Sequence, residues 1–240
     1  MSAGTSGFGT YLIWNYQKVA ELTNIEGPSQ SMDTIEVSNH SSADMFKEYI
    51  AGLRAGGEVS LEGNFIYSDV NGQIALKNDV QSGTPRNFKI VPPMALGISW
   101  EGAGIPSGFN TTFPYGDKTG VTGAITVTGK PSLYTTQSAG MTVLTGIEQK
   151  DSTALSITPA VAAGTYAYAC TVDTTSTWVK LTVTSTASIY VNGVSQTSGV
   201  QGGEIALGAA GTVTDILIIT QEAGKAPRLL PAPSEVASAK

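Results

Sequence analysis

The residues best suited to catalysis are few and far apart in this chain. His40 is the only histidine, so a Ser-His-Asp arrangement would have to use it, and no Gly-x-Ser-x-Gly turn is present to carry a nucleophilic serine. Glu58 and Glu62 form a carboxylate pair, but a glycosidase needs one such group in an apolar pocket that raises its pKa. Their companions Ser60 and Asn64 indicate a hydrated surface instead. We therefore predict that the protein is not an enzyme.

Motifs that bind metals or nucleotides are incomplete. The run Asp69–Gly72 is similar to the start of a calcium loop, but Val80 stands where the acidic residue at the twelfth position belongs. Gly7 and Gly9 lack the third glycine of a dinucleotide-binding loop. Cys170 is the only cysteine and alternates with apolar residues, which predicts a buried core position and excludes an internal disulfide. The sequence thus predicts neither a metal nor a cofactor.

Composition restricts the remaining functional classes. The 240 residues include 13 Lys and Arg against 19 Asp and Glu, with no basic cluster, so tight nucleic-acid binding is not expected. No apolar run reaches the roughly 18 residues of a membrane-spanning helix, and Met1–Tyr16 lacks the features of a signal peptide. We expect no membrane insertion and maturation in a cytoplasm. The 28 glycines, together with many Thr and Val residues, favour strands and turns over helices.

The chain divides by composition into three regions. Residues 1–140 carry most of the aromatic and most of the charged residues, and within them 1–16 form an N-terminal arm and 131–140 a linker. Residues 141–223 are rich in Thr, Ser, Ala and Val. Residues 224–240 form an Ala/Pro-rich tail with little to bury, which we expect to be extended or disordered.

Alternation of apolar and polar residues predicts most of the elements. It indicates half-buried strands at 57–67 and 120–130, with shorter ones at 34–38, 88–91 and 96–101. Helical spacing predicts helices at Asp44–Leu53 and at about Gln73–Val80. The C-terminal region reads as six or so short strands, one of them at Tyr166–Val172, and Asn192-Gly193 is a strong hairpin signal.

The order and spacing of several segments resemble the major tail tube proteins of lambda-like siphophages, whose tails do not contract. The resemblance covers about residues 8 to 133. The segments that carry it are the Gly27-Pro28 turn, DTIEVSNHS at Asp33–Ser41, YIAGLRAGGEV at Tyr49–Val59, Asn71–Pro93, and VTGAITVTGKPSL at Val121–Leu133. Residues 141–222 are similar, more loosely, to cadherin-like or bacterial immunoglobulin-like domains.

These resemblances imply a mainly β fold: a tail-tube-type β-sandwich or barrel with short flanking helices, followed by an immunoglobulin-like sandwich. They imply a virion protein, assembled in the host cytoplasm, whose hexameric rings stack into a hollow tail tube. The implied partners are further copies of the chain, a tape measure protein, and tail terminator and tip proteins. DNA would pass through the tube without specific binding, and the outer domain would aid weak attachment to a host cell surface.

Two sets of residues follow as candidates for this role. The polar face of the strands would line the lumen, where carboxylates repel DNA phosphates. Its candidate members are Glu36, Glu58, Ser60, Glu62, Asn64, Glu101, Thr122, Thr126 and Thr128. Contacts between rings would come from the arm and from the loop at 68–86, through Phe8, Tyr11, Leu12, Ile13, Trp14, Ile74 and Leu76.

Alternative interpretations remain open at this point. The polar face of the strands could instead be covered by the helices, with Glu58 and Glu62 pointing outward. The C-terminal region alone would also suit a secreted carbohydrate-binding or adhesin-like module. A tube subunit of a type VI secretion system is a third interpretation, because it shares the general fold.

Overall fold

Strands dominate the computed structural model, which describes residues 6–162, 165 and 167–232. In chain order the strands are β1 (Tyr11–Trp14), β2 (Gln17–Lys18), β3 (Leu22–Ile25), β4 (Ser31–Glu36), β5 (Tyr49–Ala55), β6 (Glu58–Asn64), β7 (Arg86–Val91), β8 (Ser99–Thr112), β9 (Gly120–Tyr134), β10 (Val143–Glu148), β11 (Trp178–Thr184), β12 (Ser188–Val191), β13 (Val194–Gln196), β14 (Ile205–Ala206), β15 (Ile216–Gln221) and β16 (Arg228–Ala232). The α-helix α1 spans Gln73–Ser82, and short 3-10 turns lie at Ala43–Met45, Met94–Leu96 and Lys150–Ser152. The predicted mainly β class is confirmed.

The chain folds as two compact units. The central unit comprises Val19–Ile90 and Trp100–Ser132. The terminal unit comprises the residues up to Lys18, Val91–Ser99 and the chain from Leu133 onward. The N-terminal segment therefore groups with the C-terminal region, whereas the predicted boundary near residue 140 assigned it to the preceding domain.

The sheet of the central unit has the strand order β7-β8-β9-β6-β3. Strands β6 and β9 run antiparallel, and Val59 lies opposite Ile125 in their register. Both side chains are fully buried, and Leu61 and Val121 on the same face are nearly so. Because side chains alternate along a strand, the residues between these buried positions, such as Glu58 and Thr126, lie on the opposite face.

Strand β8 extends well beyond the short strand predicted at 96–101. Glycines occupy two of its inward-facing positions, Gly102 and Gly104. The sequence therefore lacks the alternating apolar residues that would indicate a strand here. A Cβ at Gly102 would lie 3.0 Å from the Phe88 ring, and one at Gly104 would lie 2.4 Å from a methyl of Ile125. Phe88 of β7 and Ile125 of β9 fill the core at these positions, and the missing glycine side chains leave room for them.

Helix α1 begins and ends close to the predicted bounds. Gly83 ends it in the left-handed conformation (φ 64°), where glycine carries no steric penalty. The Asp69 carboxylate accepts the backbone N–H groups of Gly72 and Gln73 at 3.2 and 2.8 Å, and that of Ala20 at 3.0 Å. The calcium-like run is thus a cap for the start of the helix.

The Gln73 side chain joins three backbone segments in a fully buried position. Its oxygen accepts the Ile66 N–H at 3.0 Å, and its amide donates to the carbonyls of Ala20 and Asn64 at 2.9 and 2.8 Å. Backbone polar groups that lose such partners inside a protein are costly. Gln73 therefore fixes α1 to the ends of β3 and β6.

The predicted helix at Asp44–Leu53 is wrong. Only Ala43–Met45 forms a 3-10 turn, and Tyr49–Ala55 is strand β5, paired antiparallel with β4. Gly52 lowers helix propensity, and a Cβ there would lie 3.0 Å from Asp33 on β4, so the position suits close strand pairing. A helix of ten residues has marginal stability without a surface to pack against. In the hairpin, side chains of β5 instead gain contacts with residues of β4 directly opposite.

The terminal unit contains two sheets, with orders β10-β11-β14 and β13-β12-β15-β16. Side chains from both sheets share one core, which includes Val179, Leu181, Ile189, Ile216 and Ile218. The unit is therefore a β-sandwich. The hairpin predicted at Asn192-Gly193 is confirmed, since it joins β12 to β13 with φ of 46° and 79°.

The strand predicted at Tyr166–Val172 does not form. Tyr168 and Val172 are buried as expected, but the only bridge in this part of the described chain joins Ala169 to Thr158. Tyr166 lies outside the described residues. Cys170 is half-buried, and this burial raises the pKa of its thiol.

Parts of the predicted linker and of the predicted tail belong to strands. Strand β9 continues to Tyr134, and Ser138 and Ala139 hydrogen-bond to Ala226 and Glu222. Residues 228–232 form β16 on the edge of the four-stranded sheet, with Leu229 buried. The Ala/Pro-rich composition did not indicate this strand. Its pairing with β15 and the burial of Leu229 place it on the edge of the sheet. The expectation for 233–240 lies outside the described residues.

Replacing Gln73 by Leu tests its role as a connector. The change keeps most of the volume but leaves the Ile66 N–H and the Ala20 and Asn64 carbonyls without their partner. We expect a loss of about 3 kcal/mol in the free energy of unfolding, measured by urea titration. The exposed Asn78→Ala on the same helix is the control and should change it by less than about 0.5 kcal/mol. Equal effects of the two substitutions would contradict the connecting role.

Candidate functional site

The face of the sheet opposite the core is polar and open. Across β6 and β9, Glu58 lies opposite Thr126 and Glu62 opposite Thr122. Directly opposed residues in an antiparallel pair project from the same face, and all four are exposed. The structure thus brings together most of the residues predicted from the alternation.

A third carboxylate joins this face that sequence analysis missed. The Ser60 hydroxyl donates to the Glu26 carboxylate at 2.9 Å, and the Glu26 N–H donates to the Ser60 carbonyl at 2.9 Å. Glu26 follows directly after β3, and β3 pairs with β6. Only the strand order reveals this neighbour, since the two residues are 34 positions apart.

These side chains line a shallow groove of about 370 Å³. We call the surface the acidic face, and its members are Asn24, Glu26, Glu58, Ser60, Glu62, Asn110 and Thr122 along the groove, with Thr126 beside it. No Lys or Arg is among the described residues that line the groove. A wet surface with three carboxylates and no cation carries a negative potential.

Asn64 and Thr128 lie at the two ends of this surface. Asn64 is half-buried and its side-chain amide N–H donates to the Glu21 carboxylate at 3.0 Å, while its side-chain oxygen Oδ1 is buried without a hydrogen-bond partner in the described part of the chain. Thr128 is exposed and continues the alternation of Thr122 and Thr126 along β9.

Glu36 does not belong to this sheet. It is the last residue of β4, which forms a separate two-stranded sheet with β5. Its carboxylate accepts a hydrogen bond from the Lys47 ammonium at 2.7 Å. The sequence placed Glu36 on the acidic face because the alternation shows that a strand exists but not which sheet it joins.

Glu101 is also not an open carboxylate. It lies opposite Lys89 in the register of β7 and β8, and the two side chains form an ion pair at 2.6 Å with only 12% and 6% exposure. Burial lowers the pKa of Lys89, and the negative charge of Glu101 opposes that shift. The carboxylate is neutralised inside the fold and adds nothing to the acidic face.

A second surface consists of apolar side chains that project into solvent. The hairpin of β4 and β5, residues 31–55, exposes large side chains along its length, with Met45, Phe46 and Leu53 at 98%, 75% and 83% exposure. The remaining members are Met32, Ile35, Val37, Tyr49 and Ile50. We call this surface the apolar hairpin. The alternation and helical spacing in the sequence did not indicate this surface, because half of the hairpin was assigned to a helix.

Most of the residues predicted for contacts between rings lie inside the subunit. Leu12, Ile13 and Trp14 are fully buried, as is Leu76 on α1. Tyr11 is half-buried with the Lys18 ammonium 4.6 Å from its ring centre, and Ile74 is half-buried on α1. Of the predicted set, only Phe8 is largely exposed. Leu12, Ile13, Trp14 and Leu76 are therefore core residues of the single chain, and contacts between rings through the predicted set stay a prediction.

The described residues offer no assembled catalytic or metal centre. His40 is exposed in the turn of the apolar hairpin, and no group of three or more His, Cys, Asp or Glu side chains in the described chain is placed to hold a metal ion. Within the same residues, no helix combines the length and apolar character needed to cross a bilayer.

Comparison with protein families decides the assignment. Residues 4–134, more than half of the chain, match the family described as lambda phage tail tube protein, TTP. The chain belongs to this family. It is a structural tail tube protein of a phage or phage-like particle and not an enzyme, as the sequence predicted.

Solved structures that resemble this tail tube protein cover between 54% and 56% of its chain. A chain of the virion of a native gene transfer agent particle is 16% identical, with a TM-score of 0.47 over 54% of this chain and 98% of that one. A chain of the sheath-tube complex of an extracellular contractile injection system is 12% identical, with a TM-score of 0.46 over 56% and 94%. A chain of the anti-feeding prophage cap is 13% identical, with a TM-score of 0.45 over 56% of this chain and 93% of that one. No curated protein sequence matches this tail tube protein significantly.

The Lys89–Glu101 pair allows a stability test in this tail tube protein. Lys89→Met leaves the Glu101 carboxylate buried without its cation, which should lower the free energy of unfolding by about 3 kcal/mol. The double variant Lys89→Met/Glu101→Leu removes both charges and should recover most of that loss. Denaturant titration measures both, and a double variant as unstable as the single one would show that the pair does not act as a unit.

Proposed function

We propose that this tail tube protein forms hexameric rings that stack into a hollow tube, and that the acidic face lines the lumen through which DNA passes. The observation that supports this most is the open groove with Glu26, Glu58 and Glu62 and no cation among its described lining residues. Phosphates that approach such a wall are repelled, so the DNA slides without binding.

The two-sided character of the sheet suits the wall of a wide pore. A large barrel needs strands with one apolar and one hydrated face, because its interior contains water. Strand β3 lies at the edge of the sheet, and its outer backbone groups are available to a strand of a neighbouring subunit. Repeating such a contact around a rotation axis closes a ring and removes the edges.

The apolar hairpin supplies the contact surface that a tube subunit needs. A two-stranded hairpin is marginally stable alone, and every large apolar residue on it is at least 39% exposed in the single chain. We assign a second copy of this chain as its partner, because the family to which the protein belongs builds tubes. The hairpin takes the role that the sequence had assigned to the N-terminal arm and to the loop at 68–86.

The remaining partners follow from the same role. A tape measure protein would occupy the lumen during assembly, and terminator and tip proteins would bind the two ends of the tube. The C-terminal region would decorate the tube and contribute weak attachment to a host surface. Its support is compositional, since residues 141–223 are rich in Thr and Ser and carry few charges. The immunoglobulin-like character of this region stays a prediction.

Charge reversal on the acidic face tests the lumen assignment. Glu58→Lys with Glu62→Lys should leave tubes assembled, because both side chains are exposed in the subunit. DNA ejection should become slower, since lysines attract phosphates. Ejection kinetics of particles that carry the variant would be followed with a DNA-binding dye, and tubes counted by negative-stain microscopy.

The matched control reverses the same number of charges elsewhere. Glu204→Lys with Asp215→Lys lies in the C-terminal region, where both residues are exposed, and should leave ejection unchanged. If the acidic-face variant also ejects DNA at the normal rate, the lumen assignment is wrong.

Charges on the apolar hairpin test its role in assembly. Phe46→Glu with Leu53→Glu should abolish tubes, because a buried carboxylate without a partner is costly at an interface. The unfolding free energy of the single chain should change by less than about 0.5 kcal/mol, since both side chains are already exposed. Microscopy and sedimentation measure assembly. The control pair Val194→Glu with Val200→Glu, exposed in the C-terminal region, should still form tubes. Normal tubes from the hairpin variant would refute this contact.

A further inference from the structure

The four-stranded sheet of the C-terminal region is apolar on both faces. Ile216 and Ile218 of β15 point into the sandwich core, while Leu217 and Ile219 point the other way. Ile219 is fully buried although it lies outside that core. Something must therefore cover the second face, as the continuous apolar run of β15 indicates.

The N-terminal hairpin covers this second face. We use that name for β1, β2 and the turn between them, residues 11–18. Ile13 packs in one cluster with Ile219 and Leu229, and Tyr16 and Tyr190 lie against the same cluster. The first strands of the segment that matches the tail tube family, residues 4–134, are thus held by residues beyond the end of that match.

Tyr16 in the turn and Gln17 at the start of β2 also contact the four-stranded sheet. The rings of Tyr16 and Tyr190 stack with their centroids 4.1 Å apart and their planes at 14°. The Gln17 side-chain amide donates to the Asn192 carbonyl, at the turn between β12 and β13. The N-terminal hairpin is therefore fixed at its tip as well as along its strand.

Backbone conformation at the tip is unusual for one of its two residues, although a two-residue hairpin turn places both at positive φ. Asn15 and Tyr16 both have positive φ, 48° and 64°. Asparagine tolerates this region, but a tyrosine there is strained and persists only where its surroundings hold it. The stack on Tyr190 is one contact that holds it.

We propose that the four-stranded sheet clamps the N-terminal hairpin, so that the C-terminal region is a required part of the assembling subunit and not a detachable decoration. The clamp itself is a property of the single chain. Its consequence for assembly rests on the proposed tube function.

Two glycine substitutions in the same turn distinguish a turn that is held by the four-stranded sheet from a self-sufficient turn, which is stable without it. Asn15→Gly relieves a positive φ and removes no stack, so amide hydrogen exchange in β1 and β2 should be unchanged or slower. Tyr16→Gly relieves a positive φ and removes the stack. A self-sufficient turn would gain stability from it, whereas under the clamp exchange in β1 and β2 becomes faster.

Changes at the sheet test the same contact from the other side. Tyr190→Ala should speed exchange in β1 and β2 by about tenfold, and Tyr190→Phe, which keeps the ring, should not. Exchange in β6 and β9 serves as the folding control and should be the same in every variant. Measured on the full-length, unassembled chain, slower exchange in Tyr16→Gly, or unchanged exchange in both Tyr16→Gly and Tyr190→Ala, overturns the clamp.

Tube formation by the same variants tests the consequence for assembly. Under the proposal, variants with fast exchange in the N-terminal hairpin give fewer tubes than Asn15→Gly and Tyr190→Phe. Fast exchange with a normal yield of tubes overturns the requirement for assembly while the clamp stands. Failure of the unaltered protein to form tubes would refute the proposed function instead, and the exchange result would be unaffected by it.

Discussion

The antiparallel register of β6 against β9 decides which side chains the central sheet presents to water. Val59 and Ile125 are paired on the buried face, and Glu58 and Thr126 are paired on the open one. A slip of one residue would move carboxylates into the core and valines into solvent, so the burial of the apolar set holds the register. The acidic face is a consequence of that pairing.

Residues of the same type have different roles at different places in this fold. Glu62 and Glu101 are both glutamates on strands of one sheet, yet one is exposed on the acidic face and the other is paired with Lys89 and buried. Asp69 and Gln73 sit in a run that is similar to a calcium loop, but their side chains satisfy backbone groups at the start of a helix. The contrast arises because neighbouring strands and loops, and not the residue types, set the burial and the partners.

The two units differ in whether the apolar side chains outside their cores are covered. In the terminal unit, the second face of the β15 sheet is covered by the chain's own N-terminal hairpin. In the central unit, the apolar hairpin has no such cover within the described chain and leaves Met45 and Leu53 in solvent. A subunit that must join further copies of itself needs both arrangements: one surface kept closed for stability and one left open for contact.

The sequence by itself determined the elements whose signal is local. Alternation defined β6 and β9, the Asn192-Gly193 pair defined a hairpin, and Gly83 ended α1, because side-chain period and positive φ act within a few residues. It also determined the family, since order and spacing along 4–134 are properties of the chain. Only the tertiary structure decided what depends on distant neighbours. Glu26 lies on the acidic face because β3 pairs with β6, Glu101 is paired with Lys89 instead, and Trp14 is buried in the core. Burial and pairing of these residues depend on contacts between segments that are far apart in the sequence.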